Sequence, residues 1–269
     1  MGARVYGLIP ARLASTRLPR KLLLSGTGKP LIQHTWETAR QSRFLADVVV
    51  AADSEEIASA VRKFGGRCEL TGDHPSGTDR IAEVVGRSFA DADIIVNIQG
   101  DEPEIDPAAL DLLVGLLLDR PDSQMATLAT PIRTRDVRDS PSCVKVVCAA
   151  DGRALYFSRS LIPFCRDETP DSLLAGDTPW LLHVGLYAYR REFLMNLTKL
   201  PVSRLERLEK LEQLRALEAG ATIRVGIIER SAVGIDTPED YARFVARQRG
   251  DETPPEPGMQ TWPPIINLP

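Results

Sequence analysis

The first half of the chain alternates between runs of strand length and longer segments with helical spacing. Mostly apolar strand-like runs lie at residues 5–9, 48–52, 67–70 and 94–98. Helical spacing begins near residue 31 and recurs over residues 54–64, 78–89 and 107–117. Strands that alternate with helices of this length predict an α/β fold with a mainly parallel central sheet and helices on both faces.

The second half is less regular. It contains further strand-like runs at residues 125–132, 144–148, 153–159, 183–189 and 222–228. Leucines at 205, 208, 211, 214 and 217 predict one helix over residues 204–219. Pro238 predicts the first turn of a last helix that extends to about residue 247. Residues 165–179 are polar and rich in turn formers, which predicts a loop and leaves open whether it is a lid.

Composition narrows the class of protein. The 269 residues are 43% hydrophobic and 26% charged, which is typical of a globular chain. We expect one domain over residues 1–250, followed by a tail over residues 251–269 that holds six prolines. The formal charge of −4 argues against a general nucleic-acid binder. No apolar stretch approaches the roughly 20 residues of a membrane span, and no signal peptide is apparent, so we expect a cytoplasmic protein without membrane insertion.

The loop after the first strand-like run carries a dense cluster of positive charge. Within residues 10–21, four cations surround two hydroxyl groups: Arg12, Arg17, Arg20, Lys21, Ser15 and Thr16. Loops at the carboxyl ends of strands are where open α/β sheets bind ligands. Cations and backbone N–H groups at such a place suit a polyanion such as a nucleoside triphosphate. The alternative is a solvated basic turn.

Two carboxylates lie next to the ends of predicted elements. Asp101 belongs to the segment Gln-Gly-Asp-Glu-Pro, which directly follows the run at 94–98, and Asp236 precedes the last predicted helix. By themselves they are typical of an ordinary turn and of a helix N-cap. If they lie at the same sheet edge as the basic loop, they suit a divalent cation that is presented to phosphate oxygens.

Three further places could bind a substrate. Residues 74–80 form a helix start whose N–H groups and hydroxyls could hold a ribose, a base or a phosphate, or could simply cap the helix. His183 and Tyr187 project from one face of a strand, although a lone histidine is usually structural. Glu212 lies along the leucine stripe, where an unpaired carboxylate is costly, so it reaches water or binds a polar substrate together with Gln213.

Seven segments in order resemble the 3-deoxy-manno-octulosonate (Kdo) cytidylyltransferase family, over about residues 5–247. They are IPARLASTRLPRK, HPSGTDR, NIQGDEP, LYFSRSLIP, HVGLYAYR, LEKLEQLRAL and GIDTPED. The resemblance implies a Rossmann-like nucleotide-diphospho-sugar transferase fold with a smaller sugar-binding and dimerisation subregion. It also implies a homodimer that transfers CMP from CTP to the anomeric hydroxyl of Kdo, with Mg²⁺, for lipopolysaccharide biosynthesis. The other product is pyrophosphate.

The resemblance also assigns residues. Arg12, Arg17 and Lys21 would hold the triphosphate, with Ser15 beside it, and Asp101 and Asp236 would bind Mg²⁺; these three cations and two carboxylates form the expected catalytic set. Ser76, Gly77 and Arg80 would help hold the cytidine, and Gln99 is a further substrate-binding candidate. The sugar acid would be held by Arg159, His183, Tyr187, Glu212 and Gln213.

The chain departs from the family pattern at three positions. Arg20 stands where the family usually has glycine, Leu22 where it often has proline, and Leu182 where a basic residue is common. Two alternatives therefore stay open. One is a cytidylyltransferase for another 2-keto sugar acid, such as 8-amino-Kdo or a sialic-acid-like sugar. The other is a catalytically silent nucleotide-binding protein.

Overall fold

A computed structural model describes residues 2–174, 176 and 178–251. Its strands are β1 (Val5–Ala11), β2 (Leu45–Ala52), β3 (Arg67–Leu70), β4 (Ile94–Asn97), β5 (Met125–Pro131), β6 (Lys145–Cys148), β7 (Ala154–Ser158), β8 (Leu181–Arg190) and β9 (Ile223–Ile227). Its helices are α1 (Leu31–Ala39), α2 (Glu55–Lys63), α3 (Gly77–Ser88), α4 (Pro107–Leu118), α5 (Arg135–Asp139), α6 (Pro170–Leu174), α7 (Arg191–Leu197), α8 (Arg204–Glu209), α9 (Gln213–Glu218) and α10 (Pro238–Arg249). A short 3-10 helix covers Lys21–Leu23.

The central sheet has the strand order β3-β2-β1-β4-β8-β5-β9. Strands β1 to β4 are mutually parallel, and β5 is parallel to β9. This confirms the predicted mainly parallel sheet. The exception is β8, which runs antiparallel to both β4 and β5, and the β6–β7 hairpin extends from it. A short apolar run does not encode its own direction, so the antiparallel strand was not predictable from the pattern.

Helices cover both faces of the sheet, as predicted. One core cluster joins β1 and β2 to α1, α2 and α4 through side chains such as Trp36, Ile57 and Leu110. The other lies on the opposite face and brings in α3, α7 and α9 through Ile81, Leu194 and Leu214. Because packed apolar side chains cover both faces of the sheet, polar side chains can converge at the ends of the strands.

The prediction of one helix over residues 204–219 is wrong. The structure has two short helices, α8 and α9, separated by a bend at Lys210, whose φ is +55°. The left-handed backbone of Lys210 ends the helix, and the carbonyls of Glu209 and Lys210 accept hydrogen bonds from the Arg159 guanidinium at this bend. The leucine stripe is broken as a result, and Leu208 is 70% exposed.

The predicted loop at residues 165–179 contains the short helix α6. Asp171, in α6, forms ion pairs with Arg135 and Arg138 of α5. Over the residues that the structure describes, no helix is both long and apolar enough to cross a membrane. Residues 252–269 lie outside the described part, so the division into a domain over 1–250 and a proline-rich tail stays a prediction.

Candidate functional site

The cationic loop and the two carboxylates meet at the carboxyl ends of β1 and β4. The Lys21 ammonium contacts the Asp101 carboxylate and lies 2.9 Å from Asp236 Oδ1. The Arg17 guanidinium lies 2.9 Å from Asp236 Oδ2. The structure therefore brings together four of the five residues of the expected catalytic set. The fifth, Arg12, lies in the same loop.

Local packing explains this convergence. Leu18 and Leu22 are buried, so the loop is anchored on both sides of Arg20 and Lys21. The Ile235 amide donates to the Asp101 carbonyl at 2.9 Å, which ties the segment before α10 to the end of β4. The N-cap of α10 is Thr237, because its hydroxyl accepts from the Asp240 amide at 3.1 Å. The N-cap reading of Asp236 is therefore wrong, and its carboxylate faces the cations instead.

The charges in this cluster influence each other. Burial alone would lower the pKa of Lys21, but Asp101 and Asp236 raise it above its usual value. Glu102 was not among the predicted site residues, although it directly follows Asp101. Burial, reinforced by the charges of Asp101 and Asp236, raises the pKa of Glu102 to about 8. The sequence signal for Glu102 was its place in the same Gln-Gly-Asp-Glu-Pro segment.

The start of α3 lies beside the cationic loop. Arg12 donates to the His74 carbonyl at 3.2 Å. Arg80 is 2% exposed and lies 3.7 Å from Asp53, and its Nε has no hydrogen-bond partner among the residues that the structure describes. A Cβ atom on Gly77 would lie 3.2 Å from Pro10, so glycine permits close packing of α3 against β1. Ser76 caps α3 by accepting from the Asp79 amide at 3.1 Å, as in the capping alternative; its role toward cytidine stays a prediction.

His183, Tyr187 and Glu212 form an aromatic and acidic group beside α3. The His183 and Tyr187 ring centroids are 5.4 Å apart, and His183 Nε2 lies 2.9 Å from the Thr127 hydroxyl. Burial lowers the pKa of His183 to about 3, so the imidazole is neutral near pH 7. Burial raises the pKa of Glu212, although its carboxyl group is hydrogen bonded to Thr78 and Ser76. This group thus offers neutral hydrogen-bonding atoms and one carboxyl.

The remaining predicted residues surround this group. Gln99 donates to the Gly185 carbonyl at 3.0 Å and thereby connects the end of β4 to the middle of β8. Arg159 is held by carbonyl oxygens at the α8–α9 bend. Gln213 is buried at the start of α9, and Ser15 is half-buried in the cationic loop. The structure therefore arranges the candidates as a charged cluster at β1 and β4, which Gln99 connects to a polar and aromatic group at β8.

Comparison with known proteins identifies the family. The cytidylyltransferase family profile matches residues 6–223. A 3-deoxy-manno-octulosonate cytidylyltransferase of Rhodopirellula baltica is 50% identical over 242 residues, which cover 89% of this chain and 96% of that protein. The chain belongs to the 3-deoxy-manno-octulosonate cytidylyltransferases, a family of nucleotidyltransferases. The resemblance drawn from the sequence segments is therefore confirmed.

Two further relatives agree on family and fold. A protein of the same name from Geobacter sulfurreducens is 49% identical over 248 residues, covering 90% of this chain and 98% of its own. The solved structure of CMP:2-keto-3-deoxy-manno-octonic acid synthetase, complexed with CTP, has a TM-score of 0.85 and 42% identity, over 92% of this chain and 99% of its own. Together with the observed sheet, this confirms the predicted nucleotidyltransferase fold.

Proposed function

We propose that this protein transfers CMP from CTP to the anomeric hydroxyl of 3-deoxy-D-manno-octulosonate, giving CMP-Kdo and pyrophosphate. Membership of the family supports the reaction. The observation that carries the site assignment is the convergence of Arg17, Lys21, Asp101 and Asp236 at one sheet edge. Transfer at phosphorus requires mainly positioning and charge neutralisation, and this cluster provides both.

In this proposal the cationic loop binds the triphosphate. Arg12, Arg17 and Lys21 neutralise the phosphate oxygens, and Lys21 and the arginines stabilise pyrophosphate as it leaves. Ser15 lies in the same loop and can donate its hydroxyl to a phosphate oxygen. Ser76, Gly77 and Arg80 hold the cytidine at the start of α3.

Asp101 and Asp236 fit a divalent cation. Their oxygens already converge on one positive nitrogen, that of Lys21. No group of three or more His, Cys, Asp or Glu side chains that could hold a metal occurs in the described part of the chain. Mg²⁺ commonly uses one or two carboxylates and takes its other ligands from phosphates and water. Bound there, Mg²⁺ would supply charge neutralisation at the triphosphate.

The sugar acid is placed against β8 and the α8–α9 bend. The Arg159 guanidinium pairs with the carboxylate of the sugar acid, since the described residues offer it only carbonyl oxygens and no ion pair. His183, Tyr187, Glu212, Gln213 and Gln99 supply hydrogen bonds to hydroxyl groups. The neutral imidazole of His183 has one donor and one acceptor nitrogen, which suits hydroxyl recognition.

The test is release of pyrophosphate from CTP and Mg²⁺ with each member of a panel of sugar acids. We expect release with Kdo and only background release without it. Release with 8-amino-Kdo or a sialic acid, but not with Kdo, would support the proposed cytidylyl transfer and identify a different sugar acid as the substrate. Binding of CTP without release by any sugar acid would favour the silent nucleotide-binding protein.

We further propose that the protein is a homodimer. Large apolar side chains are exposed at Leu155 on β7, at Phe164 in the segment after it, and at Leu208 on α8. We expect these side chains to contribute to one apolar patch in the dimer, since contiguous exposed apolar surface is typical of subunit interfaces. Light scattering should give the mass of two chains, and a mass of one chain would contradict the proposal.

A further inference from the structure

Glu209, at the end of α8, holds the end of β7 with both its side chain and its backbone. Its Oε1 accepts from the Ser158 hydroxyl at 2.7 Å, and its Oε2 accepts from the Arg159 amide at 2.9 Å. Its backbone carbonyl accepts from Arg159 Nε at 2.6 Å. Glu209 therefore fixes both the main chain and the side chain of Arg159.

The Arg159 guanidinium is oriented without being neutralised. Besides the Glu209 carbonyl, it donates to the carbonyls of Pro141 at 3.0 Å and Lys210 at 3.4 Å. Within the described residues, no carboxylate forms an ion pair with it. The Glu209 carboxylate instead binds the Ser158 hydroxyl and the Arg159 amide. Carbonyl oxygens satisfy N–H donors but carry no full charge, so the positive charge remains available to an anionic ligand.

The same contacts set the start of α9. Arg159 donates to the Glu209 carbonyl at the end of α8, where Lys210 turns the chain with a φ of +55°. Glu212 is the N-cap of α9, and its carboxyl group reaches Ser76 and Thr78 at the start of α3. Arg159 and Glu212 are therefore placed by one shared set of contacts, although they come from distant parts of the chain.

We propose that Glu209 is a positioning residue for the sugar acid. It holds Arg159 and the α8–α9 bend in fixed relation and does not itself touch the substrate. This inference rests on the proposed function, in which Arg159 pairs with the sugar-acid carboxylate. Both carboxylate oxygens are used as acceptors. A glutamine has only one acceptor oxygen, so its NH₂ group would face either the Ser158 hydroxyl or the Arg159 amide.

The test compares Glu209→Gln with the matched control Glu218→Gln. Glu218 lies in the same pair of helices and also accepts from a backbone amide, that of Leu205 at 3.0 Å, but it has no contact with Arg159. For Glu209→Gln we expect the KM for Kdo to rise about tenfold, since the two charge-assisted hydrogen bonds of the carboxylate are replaced by weaker neutral ones. The KM for CTP should stay within about twofold of the wild-type value, and Glu218→Gln should leave both constants within the same limit.

Three outcomes would overturn the inference: an unchanged KM for Kdo in Glu209→Gln, an equal rise in the KM for CTP, or the same change in Glu218→Gln. If Glu209→Gln does not fold, Ser158→Ala removes one of the two side-chain contacts, and it should raise the KM for Kdo alone by a few-fold. Failure of the wild-type protein to use Kdo would instead contradict the proposed function, so the two failures are distinguishable.

Discussion

Lys21→Met should increase the affinity of the nucleotide-free protein for Mg²⁺. The Lys21 ammonium lies between the two carboxylates that we propose as metal ligands, in contact with Asp101 and 2.9 Å from Asp236 Oδ1. A cation that binds both carboxylates must displace the ammonium. Lys21 therefore competes with Mg²⁺ until phosphate oxygens offer it another partner.

The magnitude follows from burial. The side chains of Lys21 and Asp101 are 15% and 25% exposed, so breaking this pair costs more than breaking a surface ion pair, whose value is about 0–1 kcal/mol. Asp236 is 41% exposed, and its pair adds little. Together we expect about 1.5–3 kcal/mol, which corresponds to roughly 10- to 100-fold in the dissociation constant for Mg²⁺.

The assay is calorimetric titration of Mg²⁺, or titration of Mn²⁺ followed by electron paramagnetic resonance, without CTP. Arg20→Met is the matched control. It also removes a positive charge from the loop, but Arg20 pairs with Glu56 and not with the two proposed metal ligands. Lys21→Met should bind the metal more tightly than the control and should bind CTP more weakly than the wild-type protein. Equal metal affinity in Lys21→Met and Arg20→Met would show that Lys21 does not compete with Mg²⁺.

Three further predictions concern stability. Because the pKa of His183 is lowered to about 3, only the unfolded chain takes up this proton as the pH falls below about 6.5. In urea unfolding between pH 7 and pH 4.5, the wild-type protein should lose about 2–3 kcal/mol more of its free energy of unfolding than His183→Gln does, and equal losses would contradict this. Arg20 has a φ of +56°, so Arg20→Gly should raise the free energy of unfolding by roughly 0.5–1 kcal/mol, and a lower melting temperature would contradict this. Glu206→Gln breaks a buried pair with Arg215, with contacts of 2.6 and 2.7 Å, and should cost about 3 kcal/mol in denaturant unfolding. Asp91→Asn at the exposed pair with Arg4 should leave the free energy of unfolding nearly unchanged, and similar losses in the two variants would contradict the role of burial.

The proposed phosphate end of the site was predictable because it depends on chain order. Asp101 and the cationic loop directly follow strands, and parallel neighbouring strands place their carboxyl ends at one edge. The family segments then supplied roles that residue types alone left open. Asp236 is an intermediate case, because the sequence places it before a helix but cannot show that Thr237 is the N-cap.

The proposed sugar-acid end was less predictable because it depends on contacts between distant segments. The leucine spacing predicted one helix, whereas the observed bend at Lys210 is held by hydrogen bonds from Arg159 to the carbonyls of Glu209 and Lys210. The role of Glu209 was missed for the same reason, since its partners lie 50 and 51 residues away in the chain. Hydrophobic periodicity describes which face is buried, and it carries no information about such polar pairings.

The central claim is that CTP and Kdo are joined at the α-phosphorus. The most direct measurement is phosphorus NMR of a reaction that contains the protein, CTP, Kdo and Mg²⁺. We predict that the three CTP resonances decline while one phosphodiester signal of CMP-Kdo and the pyrophosphate signal appear in equal molar amounts. Formation of free CMP without the phosphodiester, or pyrophosphate release at the same rate when Kdo is omitted, would contradict the account.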